Sequence, residues 1–191
     1  MGQTATGMPR ALRIAVRVAC TDWRQTVPGA VDLCRRAARA TLVAAGVPGA
    51  VEASILLTDD ATVRGLNARY RHIDKPTNVL SFPQQDGEPT APTAPTAVGA
   101  GLLLGDVVVA YGTVCAEAER DDKPIADHLC HMIVHGMLHL LGYDHQHDAE
   151  AEHMEYLEAD ILASLGIASP YADRPQETVG PLNPGHERRT T

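Results

Sequence analysis

Aromatic residues are scarce in this chain of 191 residues: one Trp, one Phe and five Tyr, 4% in all. A core built from it must rest on Val, Leu, Ile and Ala. Long apolar runs are missing too. None approaches the ~20 residues that span a bilayer, and Met1 to Arg10 holds no apolar segment of the kind a secretory leader needs. The expectation is a cytoplasmic protein with no membrane partner. Cysteine is sparse and unpaired in spacing. Cys20, Cys34, Cys115 and Cys130 contain no C-x-x-C and sit within apolar patterns, which suits reduced, buried thiols rather than disulfides or a thiolate metal site. An excess of basic charge is also absent. The net charge of −8 argues at first against a nucleic-acid partner.

The distribution of charge changes that reading. Arg10, Arg13, Arg17, Arg24, Arg35, Arg36 and Arg39 face only Asp22 and Asp32 in the first 40 residues, and Arg64, Arg69, Arg71 and Lys75 follow. The acids gather between Glu117 and Asp160. A basic half and an acidic half are compatible with a basic groove on an acidic protein.

Periodicity supplies the elements. Leu12, Ile14, Val16 and Val18 alternate with Arg13, Ala15, Arg17 and Ala19, the pattern of a half-buried strand. Between Pro28 and Gly46, Val31, Cys34, Ala38, Leu42 and Ala45 make a helical stripe. Val51 to Leu57 reads as a strand. A short helix carrying Val63, Leu66 and Tyr70 follows, capped by Thr58, Asp59 or Asp60. Asn78 to Phe82 is a short strand stopped by Pro83, and the nearly continuous apolar run Leu102 to Ala110 suits a central one. Gly112 to Asp121 suits a helix. Pro124 starts another that runs to Leu141. A last helix begins at Asp148, buries Met154, Leu157, Ile161 and Leu165, and ends at Gly166. The expected fold is α+β: a single compact domain over 11–169, with one mixed β-sheet packed with helices. Residues 1–10 read as an N-terminal extension and 170–191 as a C-terminal tail. The three Pro-Thr-Ala repeats within 88–97 form a low-complexity loop insertion.

The chemistry lies in His135-Gly136-Met137-Leu138-His139-Leu140-Leu141-Gly142-Tyr143-Asp144-His145. Histidines four apart share a helix face. A glycine three residues on can end the helix in a left-handed conformation, so a third histidine can return to the same point. Three neutral imidazoles with a fourth position open make a zincin-like catalytic zinc site, and His135, His139 and His145 are the candidate ligands of one Zn2+ per chain. Copper, nickel and iron are compatible with the ligand type alone. The spacing matches the peptidase pattern H-E-x-x-H-x-x-G-x-x-H, but Gly136 stands where the peptidase base would be. His131 lies ~12 Å along the helix from His139, too far for one tetrahedral ion, which leaves packing or a supporting role behind the ligands for His128 and His131. His147 and His153 fit the turn less well than His145. Asp144 is a candidate catalytic residue: it can orient an imidazole, accept a proton or close the turn.

The histidine run resembles the signature of the YbeY family, bacterial endoribonucleases of rRNA maturation. Tyr70-Arg71-x-x-Asp74-Lys75-Pro76-Thr77-Asn78-Val79-Leu80-Ser81-Phe82-Pro83 resembles a second block of that family, and Leu104-Gly105-Asp106 a weaker third. The resemblance implies zinc-dependent cleavage of single-stranded RNA, processing of the small-subunit rRNA 3′ end, and ribosome quality control. The implied partners are rRNA and the small subunit or its proteins, with no nucleotide cofactor. It also implies a functional role for Arg71. A guanidinium there would neutralise charge developing on a phosphodiester, with Lys75 as a further substrate-binding candidate. The bland alternative for Arg71 is a surface ion pair with Asp74. Two other functions compete: a metallopeptidase or amidase on the same histidines, opposed by Gly136, and a ribosome assembly factor whose zinc is mainly structural.

Overall fold

The computed structural model describes residues 11–84, 102–143 and 148–171. The N-terminal extension 1–10, the Pro-Thr-Ala segment 88–97, Asp144, His145 and His147, and the tail from 172 onward lie outside the described residues. The elements run β1 (Ala11–Val18), α1 (Asp22–Thr26), α2 (Ala30–Ala44), β2 (Ala50–Thr58), α3 (Asp60–Arg71), β3 (Val79–Pro83), β4 (Leu102–Ala110), α4 (Tyr111–Arg120), α5 (Ile125–Leu140) and α6 (Asp148–Ser164).

The four strands form one mixed sheet in the order β1-β2-β4-β3. β1, β2 and β4 are parallel, and β3 runs antiparallel to β4. The sequence pattern explains the order. β1 alternates because it is an edge strand, half-buried on one side only. β4, paired on both sides, is apolar on both faces. Val51, Ala53, Ile55 and Leu57 of β2, with Val107 and Val109 of β4, face the main core beneath α2, α5 and α6. Val108, Ala110 and Leu80 turn the other way and meet Val63 of α3, with Leu56, Leu66 and Phe82 at the margin.

The register shifts between Glu52 and Ala53, which pair with Leu103 and Gly105. This bulge leaves Leu104 an extra residue, and it joins Val107 in the main core. Gly105 takes φ 129, and a Cβ there would run into the Phe82 carbonyl oxygen. Only glycine satisfies both the angle and the close approach of β3.

α1 has no counterpart in the expectations. Five residues are too few for periodicity to register. It exists to place Trp23, which is fully buried, donates Nε1–H to the Thr58 carbonyl at 3.2 Å, and meets the Tyr111 ring edge-on at 5.2 Å. α2 begins after a left-handed Gly29, two residues past Pro28. Asp59 is the cap of α3, accepting the Thr62 N–H at 2.7 Å. Asp60 serves α4 instead, accepting from the Thr113 N–H and hydroxyl.

All four cysteines are free thiols. Burial pushes Cys34 up to about 12 and Cys130 to about 11, which keeps them protonated and inert near neutrality. Among the described residues, no helix is long and apolar enough to cross a membrane.

Candidate functional site

α5 carries the site because one of its faces is apolar and the other holds histidines. Leu129, Ile133, Val134, Met137 and Leu138 are fully buried in the main core. His128, His131, His135 and His139 follow at steps of three and four along the other side. Gly136 sets the height of the helix above the sheet. A Cβ there would lie 2.7 Å from Cγ1 of Val107 and 3.2 Å from the Ser81 hydroxyl, which itself donates to the Gly136 carbonyl at 3.1 Å. Position 136 therefore faces β3 and β4, and a glutamate there would be driven into the sheet.

This gives a prediction against helix propensity. Alanine favours a helix over glycine by about 1 kcal/mol, yet Gly136→Ala should lower stability, because forcing a methyl into a packed interface costs about 1–3 kcal/mol. Urea denaturation reads the sign. A variant as stable as the parent would mean that α5 rides higher on the sheet than described.

The helix ends as its glycine implies. Gly142 has φ 87 and donates to the His139 carbonyl at 3.1 Å, and the Tyr143 N–H reaches back to Leu138 at 3.1 Å. His145 and Asp144, which follow this turn, are outside the described residues.

His135 and His139 converge, with their Nε2 atoms 3.0 Å apart. Behind them stands a residue the sequence reading missed, Glu158 of α6. Its side chain is fully buried. Oε1 lies 2.7 Å from Nδ1 of His135, Oε2 lies 3.2 Å from Nε2 of His131, and the Tyr171 hydroxyl donates to Oε2. Burial pushes the Glu158 carboxyl up. Hydrogen bonds from His131 and His135, the charge of His135 and the Tyr171 hydroxyl outweigh it and bring the pKa down to about 2. An ionised carboxylate only accepts hydrogen bonds. In a neutral ring, Nδ1 of His135 then carries the proton and its Nε2 lone pair turns toward His139.

The signal for Glu158 was in the pattern. It sits four residues after Met154 and three before Ile161, within the stripe read as apolar. The buried line is Met154, Glu158, Ile161 and Leu162, while Leu157 and Leu165 are only half-buried.

A second polar chain starts higher on α5. His128 is buried, with Nε2 2.8 Å from Oε2 of Glu117. The same carboxylate accepts from the Asn78 amide at 3.0 Å, which ties the start of β3 to α4 and α5. His153 is exposed and stacks on Tyr143 at 5.9 Å.

Arg71 ends α3 and is exposed. Asp74 is not its partner: Arg64 grips that carboxylate with two bonds, Nε at 2.7 Å and Nη2 at 2.8 Å. Lys75 is exposed, and its carbonyl is held by the buried Asn67 amide at 2.8 Å. Tyr70, next to Arg71, packs on Phe82. Ser81, next to Phe82, bonds Gly136. Tyr70 and Gly136 thus meet adjacent residues of edge strand β3, Phe82 and Ser81. Among the described residues, no group of three or more His, Cys, Asp or Glu side chains assembles as a metal-binding cluster.

Residues 18–166 match the family model described as Endoribonuclease YbeY. Three similar proteins carry the name Endoribonuclease YbeY. That of Paramagnetospirillum magneticum is 50% identical over 168 residues, 87% of this chain and 100% of its own length. That of a Bradyrhizobium species, strain BTAi1, is 51% identical over 83% of this chain and 92% of its own. That of Rhodospirillum rubrum is 46% identical over 93% and 88%. With a family model covering most of its length and relatives at half identity over more than four-fifths of it, this chain belongs to the YbeY endoribonuclease family.

Proposed function

We propose that this protein is a zinc-dependent endoribonuclease that cuts single-stranded RNA during maturation of the small-subunit rRNA 3′ end, with a part in ribosome quality control. The observation that carries the metal reading is the pair His135 and His139, whose Nε2 atoms stand 3.0 Å apart. Two nitrogens on a tetrahedral zinc, each ~2.0–2.1 Å from the ion, lie ~3.3 Å from one another. The donor set is also of the right type, because Glu158 holds His135 in the tautomer that presents Nε2. His145, three residues after Gly142 in the sequence, is the expected third ligand, and Asp144 before it is the candidate proton acceptor.

When bound, zinc supplies a Lewis acid that activates water near neutral pH and polarises a phosphoryl oxygen. The chain's own residues do the rest. Arg71, exposed and free of the Asp74 ion pair, binds two phosphate oxygens in its planar fork and offsets charge that builds up there. Lys75 adds a second cation on the loop that follows α3. The position of Gly136 against the sheet speaks against the peptidase alternative, since no side chain at that position can reach across to a substrate.

Arg71→Ala should lower kcat/KM on single-stranded RNA about 10²-fold while metal content stays at the wild-type level. The measurement is cleavage of an rRNA 3′-end fragment beside its base-paired form, with zinc and with chelator. If wild-type, chelated and Arg71→Ala proteins leave the RNA equally intact, intrinsic nuclease activity is refuted.

A further inference from the structure

Tyr70 is 56% exposed and Ile73 50%, in a chain with few aromatics to spare. Burial explains neither. The two flank the left-handed turn at His72, φ 59, which breaks α3 and places Ile73 just beyond its end. The Tyr70 ring is held rather than loose. Phe82 meets it at 5.2 Å and 67°, and the Arg69 guanidinium lies 5.3 Å from its centroid. The surroundings are cationic. Arg69, Arg71 and Lys75 are exposed, and the one acid among them, Asp74, is taken up by Arg64. On a protein of net charge −8 this is a local reversal of sign. The negative C-terminal end of α3 accounts for arginines in the last turn. It does not account for a braced, exposed tyrosine with an isoleucine beside it.

We infer that Tyr70 and Ile73 form a stacking platform for a base of single-stranded RNA, with Arg69 and Arg71 taking the flanking phosphates. This rests on the endoribonuclease reading and deepens it. Aromatic faces beside cations bind unpaired bases with little sequence preference and do not engage bases inside a duplex. Such a platform gives the protein single-strand selectivity before any bond is cut. The Tyr70 ring packs on Phe82, next to the Ser81 that bonds Gly136, so the platform shares edge strand β3 with the helix that carries the histidine pair.

The test is fluorescence anisotropy of the full chain with a labelled single-stranded RNA, chelator present so that nothing is cleaved. Tyr70→Ala should weaken binding about tenfold or more, and Ile73→Ser less. Tyr70→Phe should bind as the parent does, since stacking needs the ring and not the hydroxyl. An RNA carrying abasic positions should bind parent and Tyr70→Ala alike. Tyr70→Ala that binds RNA normally but no longer sediments with the small subunit would assign the patch to a protein partner and overturn the proposal. Equal loss in Tyr70→Ala and Tyr70→Phe would also overturn it. A parent that binds RNA through Tyr70 yet never cuts it with zinc would sink the nuclease reading and leave the platform standing.

Discussion

His139→Ala should leave the protein folded, without stoichiometric zinc, and slower on single-stranded RNA by about 10³-fold or more. The magnitude follows from what one imidazole supports. Removing a single transition-state donor costs about 10²–10³, and loss of this ring removes a ligand on which both water activation and phosphate polarisation depend. Folding should survive, because His139 is only partly buried and faces away from the apolar side of α5. Metal analysis and melting separate the two effects. A ligand that binds only the folded state at a hundred times its Kd adds about 2.7 kcal/mol, so chelator should lower the melting temperature of the parent and leave that of His139→Ala unchanged. His153→Ala is the informative companion. If His153 replaced His145 as third ligand it would lose metal as well; the expectation is that it keeps it. Full zinc and full activity in His139→Ala would end the metal-site reading.

What the sequence yields and what it withholds divide along the range of the interactions. Strands β1 and β4 were legible because alternation and continuous apolarity report directly on whether one or both faces are covered. The seat of α5 was legible only in part. Gly136 reads as a missing base in the linear pattern, and its actual work, letting the helix approach Val107 and Ser81, depends on two strands far from it in sequence, with Ser81 55 positions away. Trp23 was hidden by the shortness of α1. Glu158 was hidden by its distance from its partners: it lies 23 residues from His135 and 27 from His131, so nothing in either helix alone announces that the two will share a carboxylate. Arg71 shows the reverse. Its ion-pair alternative was a local guess from nearby charges, and the geometry gives Asp74 to Arg64, about two turns earlier on the same helix.

Glu158 is where the second large effect is expected. Glu158→Gln should weaken zinc binding about 10–100-fold, the usual consequence of altering the group behind a histidine ligand, although no atom of Glu158 is proposed to touch the metal. The carboxylate accepts from His131, His135 and Tyr171 together. An amide of the same shape has one acceptor oxygen and must point its NH2 at one of these donors. When it faces Nδ1 of His135, that ring is relieved only by moving its proton to Nε2, the atom needed as ligand. Glu158→Leu goes further and leaves buried imidazole and hydroxyl groups unpaired, at about 1–3 kcal/mol each, so it should also lower the unfolding midpoint. Competitive zinc titration reads the affinity, and nitrogen NMR of the imidazoles in metal-free protein reads the tautomer. A purely structural role would show reduced stability in both variants with His135 still protonated at Nδ1 in Glu158→Gln and zinc affinity unchanged. A positioning role requires affinity and tautomer to shift together in Glu158→Gln while its stability stays close to that of the parent, because the amide fills the same space in the same packed interface between α5 and α6.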